Sequence, residues 1–149
     1  MEVQHNHDFY MQQALKEARK ALDEDEIPVG AVIVAEGRII GKGYNQTQRL
    51  NDVTAHAEML AFTAASNALG SKYLKDCTLY VTLEPCPMCA GAAFWTQIST
   101  IVYGASDEKR GYNLFKPHII HHKTEIISGG LAQESESLLK DFFKSKRKK

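Results

Sequence analysis

Four side chains in two short runs have the types and spacing of a hydrolytic metal centre. His56 and Glu58 lie in Thr54-Ala55-His56-Ala57-Glu58, and Cys86 and Cys89 in Thr82-Leu83-Glu84-Pro85-Cys86-Pro87-Met88-Cys89. Cysteines three apart place both sulfurs on one side of a helical turn, where they can share an ion. Pro85 and Pro87 stand where prolines are tolerated, at a helix entrance. The unpaired N–H groups and dipole of that entrance favour thiolate over thiol. With His56 as third ligand, a tetrahedral zinc keeps one position for water. Two thiolates balance the dication, and water bound there falls from a pKa of about 15.7 toward about 7, giving hydroxide at neutral pH. Glu58 is the base to take and deliver its protons. Residues two apart lie on nearly opposite sides of a helix. His56 and Glu58 therefore converge only if His56 sits at the helix start, or if the substrate pocket lies between them.

Other readings of the same residues are blander. A C-x-x-C pair alone fits a redox couple or inert core as well as a metal. A structural zinc needs a fourth protein ligand. The spare thiol, Cys77, heads an apolar strand and reads as a small buried side chain. His118, His121 and His122 read as surface residues, because H-x-x-H-H lacks helical support for a second metal. Phe94 and Trp95 read as core packing or a dimer interface. Tyr112 and Phe115 are the better candidates for stacking on a base.

The elements that position these groups follow from apolar periodicity. Met11, Ala14, Leu15, Ala18, Ala21 and Leu22 form a helical stripe between Asp8 and Asp25, with Asp8 available as N-cap. Val29 to Ala35, a Glu36-Gly37 turn and Arg38 to Tyr44 read as a hairpin. Asn45 to Thr54 is a polar loop, and a helix fits Ala55 to Leu69 with Gly70 as its stop. Cys77 to Leu83 is a strand, Met88 to Gln97 a buried helix, and Ser99 to Ala105 a strand. Asp107 to Lys123 is irregular, Thr124 to Ser128 a last short strand. A closing helix sets Leu131, Leu138, Leu139, Phe142 and Phe143 on one face. Alternating strands and helices call for crossover connections, and the opening hairpin makes the sheet mixed. The expected fold is α/β, a three-layer α/β/α sandwich on a mixed five-stranded sheet.

Composition narrows the setting. The chain has 149 residues, 44% hydrophobic and 24% charged, which suits one domain (1–149) with a real core. It offers no run of roughly 18 apolar residues for a membrane span. Its N-terminus has neither a basic start nor an apolar run, so no secretory signal is expected. Three cysteines are too few and odd in number for a disulfide framework, which points to a reducing, cytoplasmic compartment. Balanced charge, 18 basic against 18 acidic residues, hides an asymmetry. Lys144 to Lys149 carries five cations and no anion, so the rest of the chain has a net charge of −5. A basic tail on an acidic body suits a polyanion, though such ends are also commonly frayed and solvated.

The combined pattern H-x-E…P-C-x-x-C resembles the signature of the zinc-dependent nucleobase deaminases. More closely, the sequence is similar to the bacterial tRNA-specific adenosine deaminases, which convert the wobble adenosine of an anticodon to inosine. The likeness runs nearly unbroken from about Tyr10 to Ile101, through IPVGAVIV (Ile27 to Val34), GKGYN (Gly41 to Asn45), TAHAE and TLYVTLEPCPMCAGA (Thr78 to Ala92). It resumes at LLKDFFKSKRK in the C-terminal helix. The resemblance implies a cytidine-deaminase-like fold and a homodimer. It implies one zinc held by His56, Cys86 and Cys89, with Glu58 as proton shuttle. It also implies that Asn45 hydrogen-bonds the flipped nucleoside. Val29, Ala57, Glu84, Pro85 and Asp107 are the further substrate-contact candidates, and Lys109, Lys146 and Arg147 the candidate RNA contacts.

After Tyr103-Gly104-Ala105-Ser106-Asp107 the chain departs from that family. Glu108 to Ile126 reads EKRGYNLFKPHIIHHKTEI, shorter and bulkier than the family's loop, in a region that borders the anticodon in the resembling enzymes. Related deaminases of free guanine, cytosine or nucleosides share the zinc motifs and differ in such loops. A free nucleobase or nucleoside is therefore the alternative substrate. A non-catalytic module with a structural zinc is the second alternative.

Overall fold

Met11, Ala14, Leu15, Ala18 and Ala21 recur at helical spacing and are buried, which commits one face of α1 (Glu2–Asp23) to the core. The computed structural model describes residues 2–147, with side chains from 6 to 146. Helix α1 starts six residues before Asp8, so Asp8 is not its N-cap. The polar stretch ahead of it holds no glycine or proline, and His7 is anchored through Nδ1 to the Tyr80 hydroxyl at 2.7 Å.

Strands β1 (Gly30–Ala35) and β2 (Arg38–Tyr44) form the expected hairpin around Glu36-Gly37. Then follow α2 (Ala57–Leu69), β3 (Cys77–Leu83), α3 (Pro87–Thr96), β4 (Thr100–Ala105), a 3₁₀ turn (Tyr112–Leu114), β5 (Glu125–Ser128) and α4 (Ala132–Arg147). The strand order is β2-β1-β3-β4-β5. Pairing is antiparallel for β1 with β2 and β3, and parallel for β3–β4 and β4–β5. Helix α3 makes the crossover between β3 and β4, as parallel strands require.

Side-chain alternation along the strands sorts the core into two layers. Ala31, Ile33, Leu79, Val81, Ile101 and Tyr103 face α2 and α3, together with Ala57, Ala61, Ala90 and Ala93. Val32, Val34, Tyr80 and Val102 face the other way, against Met11 and Ala14 of α1 and Leu131 at the start of α4. Helix α2 sits hard on β2: a Cβ at Gly43 would lie 2.3 Å from the Ala57 carbonyl oxygen. That contact sets the height at which α2 begins.

Several surface expectations change. Phe143 is 45% exposed and Ser135 takes a place on the buried face of α4 beside Phe142. Phe94 and Trp95 are exposed on α3, the latter by 76%, so they are not core packing. Tyr112 is buried edge-on to Tyr103 and cannot stack on a ligand, whereas Phe115 stays exposed. The basic end is helical through Arg147 rather than frayed. Lys148 and Lys149 and the side chain of Arg147 lie outside the described residues. No helix among those described is long and apolar enough to cross a membrane.

Candidate metal centre

Two helices begin side by side at the carboxyl end of β3. After Leu83, Glu84-Pro85 turns the chain and Cys86 becomes the N-cap of α3, in extended backbone (φ −74°, ψ 170°), with Pro87 opening the helix. Cys89 follows one turn on. Across from it His56 is the N-cap of α2, also extended (φ −77°, ψ 155°), and Glu58 lies in the first helical turn. His56 is thus at the helix start, the arrangement that lets it converge with Glu58.

His56 Nδ1 lies 3.6 Å from the sulfurs of both Cys86 and Cys89. Around a tetrahedral zinc with its usual bond lengths, nitrogen and sulfur ligands stand about 3.6 Å apart. The three ligand atoms lie within 4.8 Å of one another, and theirs is the one group of this kind among the described residues. One nitrogen and two sulfurs suit zinc, and three protein ligands leave the open position of a catalytic site. Cys77 is buried at the start of β3 and stands apart from this group, so the fourth ligand of a structural site is not supplied by it.

The electrostatics fit a cation. A hydrogen bond from Cys89, and next to it one from His56, brings the Cys86 thiol down to about 4. The same bond and burial push the Cys89 thiol up, and the bond to Cys86 raises His56. The three groups share protons that a dication would displace. Glu58 is 4% exposed, and burial above all pushes its carboxyl up to about 7.

The remaining predicted residues divide. Asn45 is buried at the end of β2; its N–H donates to Val29 O (3.1 Å) and its Nδ2 to Ile27 O (3.3 Å). Its Oδ1 is buried without a partner among the described residues. The Val29 carbonyl is thereby engaged by Asn45. Ala57 is buried in the first turn of α2. The Glu84 carboxylate accepts the N–H groups of Asp107 (3.1 Å) and Asn113 (3.0 Å), and Pro85 O accepts that of Tyr112 (2.9 Å). Glu84 and Pro85 thus tie the 107–113 segment to the ligand turn. The Asp107 carboxylate accepts the N–H groups of Lys109 and Arg110 and shapes its own loop. Lys109 is exposed. Lys146 pairs with Asp25 and lies over the Phe142 ring. His121 stacks on His122 and meets Phe94, while His118 contacts Lys116 and the Tyr112 ring; none joins a metal group.

Glu26 escapes the motif reading. It is 1% exposed, and its carboxylate accepts the N–H groups of Gln48 (3.1 Å) and Arg49 (2.7 Å). In the sequence it is hidden in the acidic run Asp23-Glu24-Asp25-Glu26; its one local signal is its place directly before the apolar Ile27-Pro28-Val29.

Residues 4–105 match the cytidine and deoxycytidylate deaminase zinc-binding region. The chain belongs to this deaminase family. Among its relatives, the tRNA-specific adenosine deaminase of Bacillus subtilis is 44% identical over 95% of this chain and 91% of its own. A solved structure from work on A-to-I editing by tRNA:A34 deaminases at the wobble position of transfer RNA superposes with a TM-score of 0.83. It is 44% identical and covers 88% of this chain and 99% of its own. The structure of guanine deaminase from Bacillus subtilis gives a TM-score of 0.64 at 41% identity, over 67% of this chain and 64% of its own. The deaminase fold expected from the sequence is the one observed.

Proposed function

We propose that this deaminase hydrolyses adenosine to inosine at the wobble position of a tRNA anticodon. The observation that carries the chemistry is a three-ligand cluster with a buried acid, Glu58, two residues from one ligand. The observation that favours tRNA is near-full-length similarity to a tRNA-specific adenosine deaminase.

His56 Nδ1, Cys86 Sγ and Cys89 Sγ hold the metal in this reading. Zinc bound there supplies Lewis-acid activation of the attacking water. Glu58 takes a proton from that water as its oxygen bonds to C6 of the adenine ring, and delivers one to N1. Glu58 then takes the proton of the new C6 hydroxyl and passes it to the exocyclic nitrogen, the C6–N bond breaks, and ammonia leaves as the C6 carbonyl of inosine forms. Asn45 Oδ1, buried and without a partner among the described residues, is the acceptor offered to a donor on the nucleoside. The backbone of Ala57 and the Glu84 carbonyl are the contacts to the base edge. Lys109, Lys146 and Arg147 meet phosphates, supported by the exposure of Lys109 and the docking of α4's basic end beside Asp25. The chain works as one domain, as a homodimer in the cytoplasm. The adjacent exposed rings of Phe94 and Trp95 on α3 support a subunit contact.

The test is direct. Zinc-loaded protein is incubated with a tRNA transcript carrying adenosine at the wobble position, with its guanosine twin, and with free guanine, adenine and cytosine. Inosine and ammonia from the first alone support the reading. A second reading, free guanine, is favoured by the guanine deaminase likeness and by the bulky 108–126 segment. Ammonia from guanine and none from the transcript would establish it. Ammonia from no substrate would point to a structural zinc module.

A further inference from the structure

Asn45 and His56 stand at the two ends of one loop. Gln46 N–H donates to Ala55 O at 2.9 Å and closes it. Inside, Leu50 N–H reaches Gln46 O (2.9 Å) and Asp52 N–H reaches Thr47 O (3.0 Å). The Asp52 carboxylate accepts the Thr54 N–H and hydroxyl, which turns the chain into His56.

Glu26 supports this loop from the protein interior. Its Oε1 accepts Gln48 N–H and its Oε2 accepts Arg49 N–H, both charge-assisted bonds in a site closed to solvent. The residues that follow Glu26 hold the loop's first end: Ile27 O accepts Asn45 Nδ2 and Val29 O accepts Asn45 N–H. One segment, 26–29, therefore grips both Asn45 and the loop amides. The Arg49 side chain turns outward, to Glu24 at 3.0 Å and the Tyr44 hydroxyl at 3.3 Å, and leaves the backbone N–H to Glu26.

We infer that Glu26 is a positioning residue for substrate, holding loop 46–55 so that Asn45 keeps its place relative to His56. It touches neither substrate nor metal. The inference rests on the reading above that Asn45 meets the nucleoside. An amide at position 26 keeps the volume but turns an NH₂ toward one of the two N–H groups, leaving a buried donor without an acceptor. The loop then relaxes, and a displacement of even about 1 Å at a binding group weakens productive binding strongly.

The experiment compares zinc-loaded wild type with Glu26→Gln, and with Glu26→Asp, which keeps the charge on a shorter arm. Zinc content, amide exchange across residues 46–55, and kcat and KM on an anticodon stem-loop with a wobble adenosine are measured well below the unfolding temperature. Glu26→Gln should retain zinc, exchange its Gln48 and Arg49 amides roughly tenfold faster and raise KM about tenfold, with a smaller change in kcat. Glu26→Asp should fall between. A lower unfolding temperature with KM unchanged would make Glu26 merely structural and overturn the inference. Unchanged exchange in loop 46–55 would do the same. If wild type deaminates guanine and not the RNA, the tRNA reading falls, and the KM comparison on guanine decides the role of Glu26 by the same criterion.

Discussion

Glu58 and Glu26 are both hidden from solvent, 4% and 1% exposed, yet they sit in opposite kinds of surroundings. At the mouth of α2, Glu58 faces the Cys86 and Cys89 sulfurs and the His56 ring, and burial pushes its carboxyl up to about 7. Beneath the 46–55 loop, Glu26 receives two backbone N–H groups. Glu84 repeats that second pattern under the 107–113 segment, with two amides of its own. A carboxylate filled by amide donors is spent on holding backbone in place. Glu58, whose amide donor is its own backbone N–H and which lies beside the candidate ligand atoms, ties no distant segment and stays available for proton transfer. The neighbouring donors, and not depth of burial, separate the acid proposed to react from the acids that brace.

The comparison breaks most visibly at the ligands. His56→Ala, Cys86→Ala or Cys89→Ala should each lose the zinc and abolish deamination, read by metal content and ammonia release. Zinc retained by all three would dissolve the assignment of this region as the reactive one. Next in size is Glu58→Gln. It should keep zinc and fold but lose at least ~100-fold in turnover, the scale of general acid–base catalysis. Near-normal turnover would place Glu58 with the braces.

The bracing side is sharpened by Gly111→Ala. A Cβ there would lie 2.0 Å from Glu84 Oε2 and 2.6 Å from Asp107 O, so the carboxylate and its loop must shift. The expected loss is about 1–3 kcal/mol in urea unfolding, as for other overpacked sites, with zinc retained. An unaltered midpoint would mean that the Glu84 brace is slack. Smallest is Lys146→Ala, which removes an exposed pair with Asp25 and should cost no more than about 1 kcal/mol. If Lys146 meets a phosphate of a single-stranded loop, the same change should flatten the salt dependence of RNA binding by about 0.7 in slope. An unchanged slope would confine Lys146 to its pair with Asp25.

Legibility in the sequence followed the range of the interactions. The cysteine turn of α3, the β1–β2 hairpin and the span of β3 rest on neighbours a few residues apart, so spacing and propensity reveal them, whereas the helix expected from Ala55 begins at Ala57 with His56 as its N-cap. Where they diverge from expectation, a distant contact decides. Helix α1 runs past Asp8 because His7 finds Tyr80, 73 residues away. Tyr112, an open stacking candidate by sequence, is buried against Tyr103 because the 107–113 amides reach back to Glu84 and Pro85.

From sequence alone came the candidate ligand set, His56, Cys86 and Cys89, and the acid proposed as the shuttle, since two thiols, an imidazole and a carboxylate at helix heads have few other joint uses. The tertiary structure alone decided the roles of the other carboxylates. Glu26 meets its amides 22 and 23 residues on, and Glu84 meets its own 23 and 29 residues on. A carboxylate's role depends on which donors surround it after folding, and no local pattern in the chain encodes partners that far away.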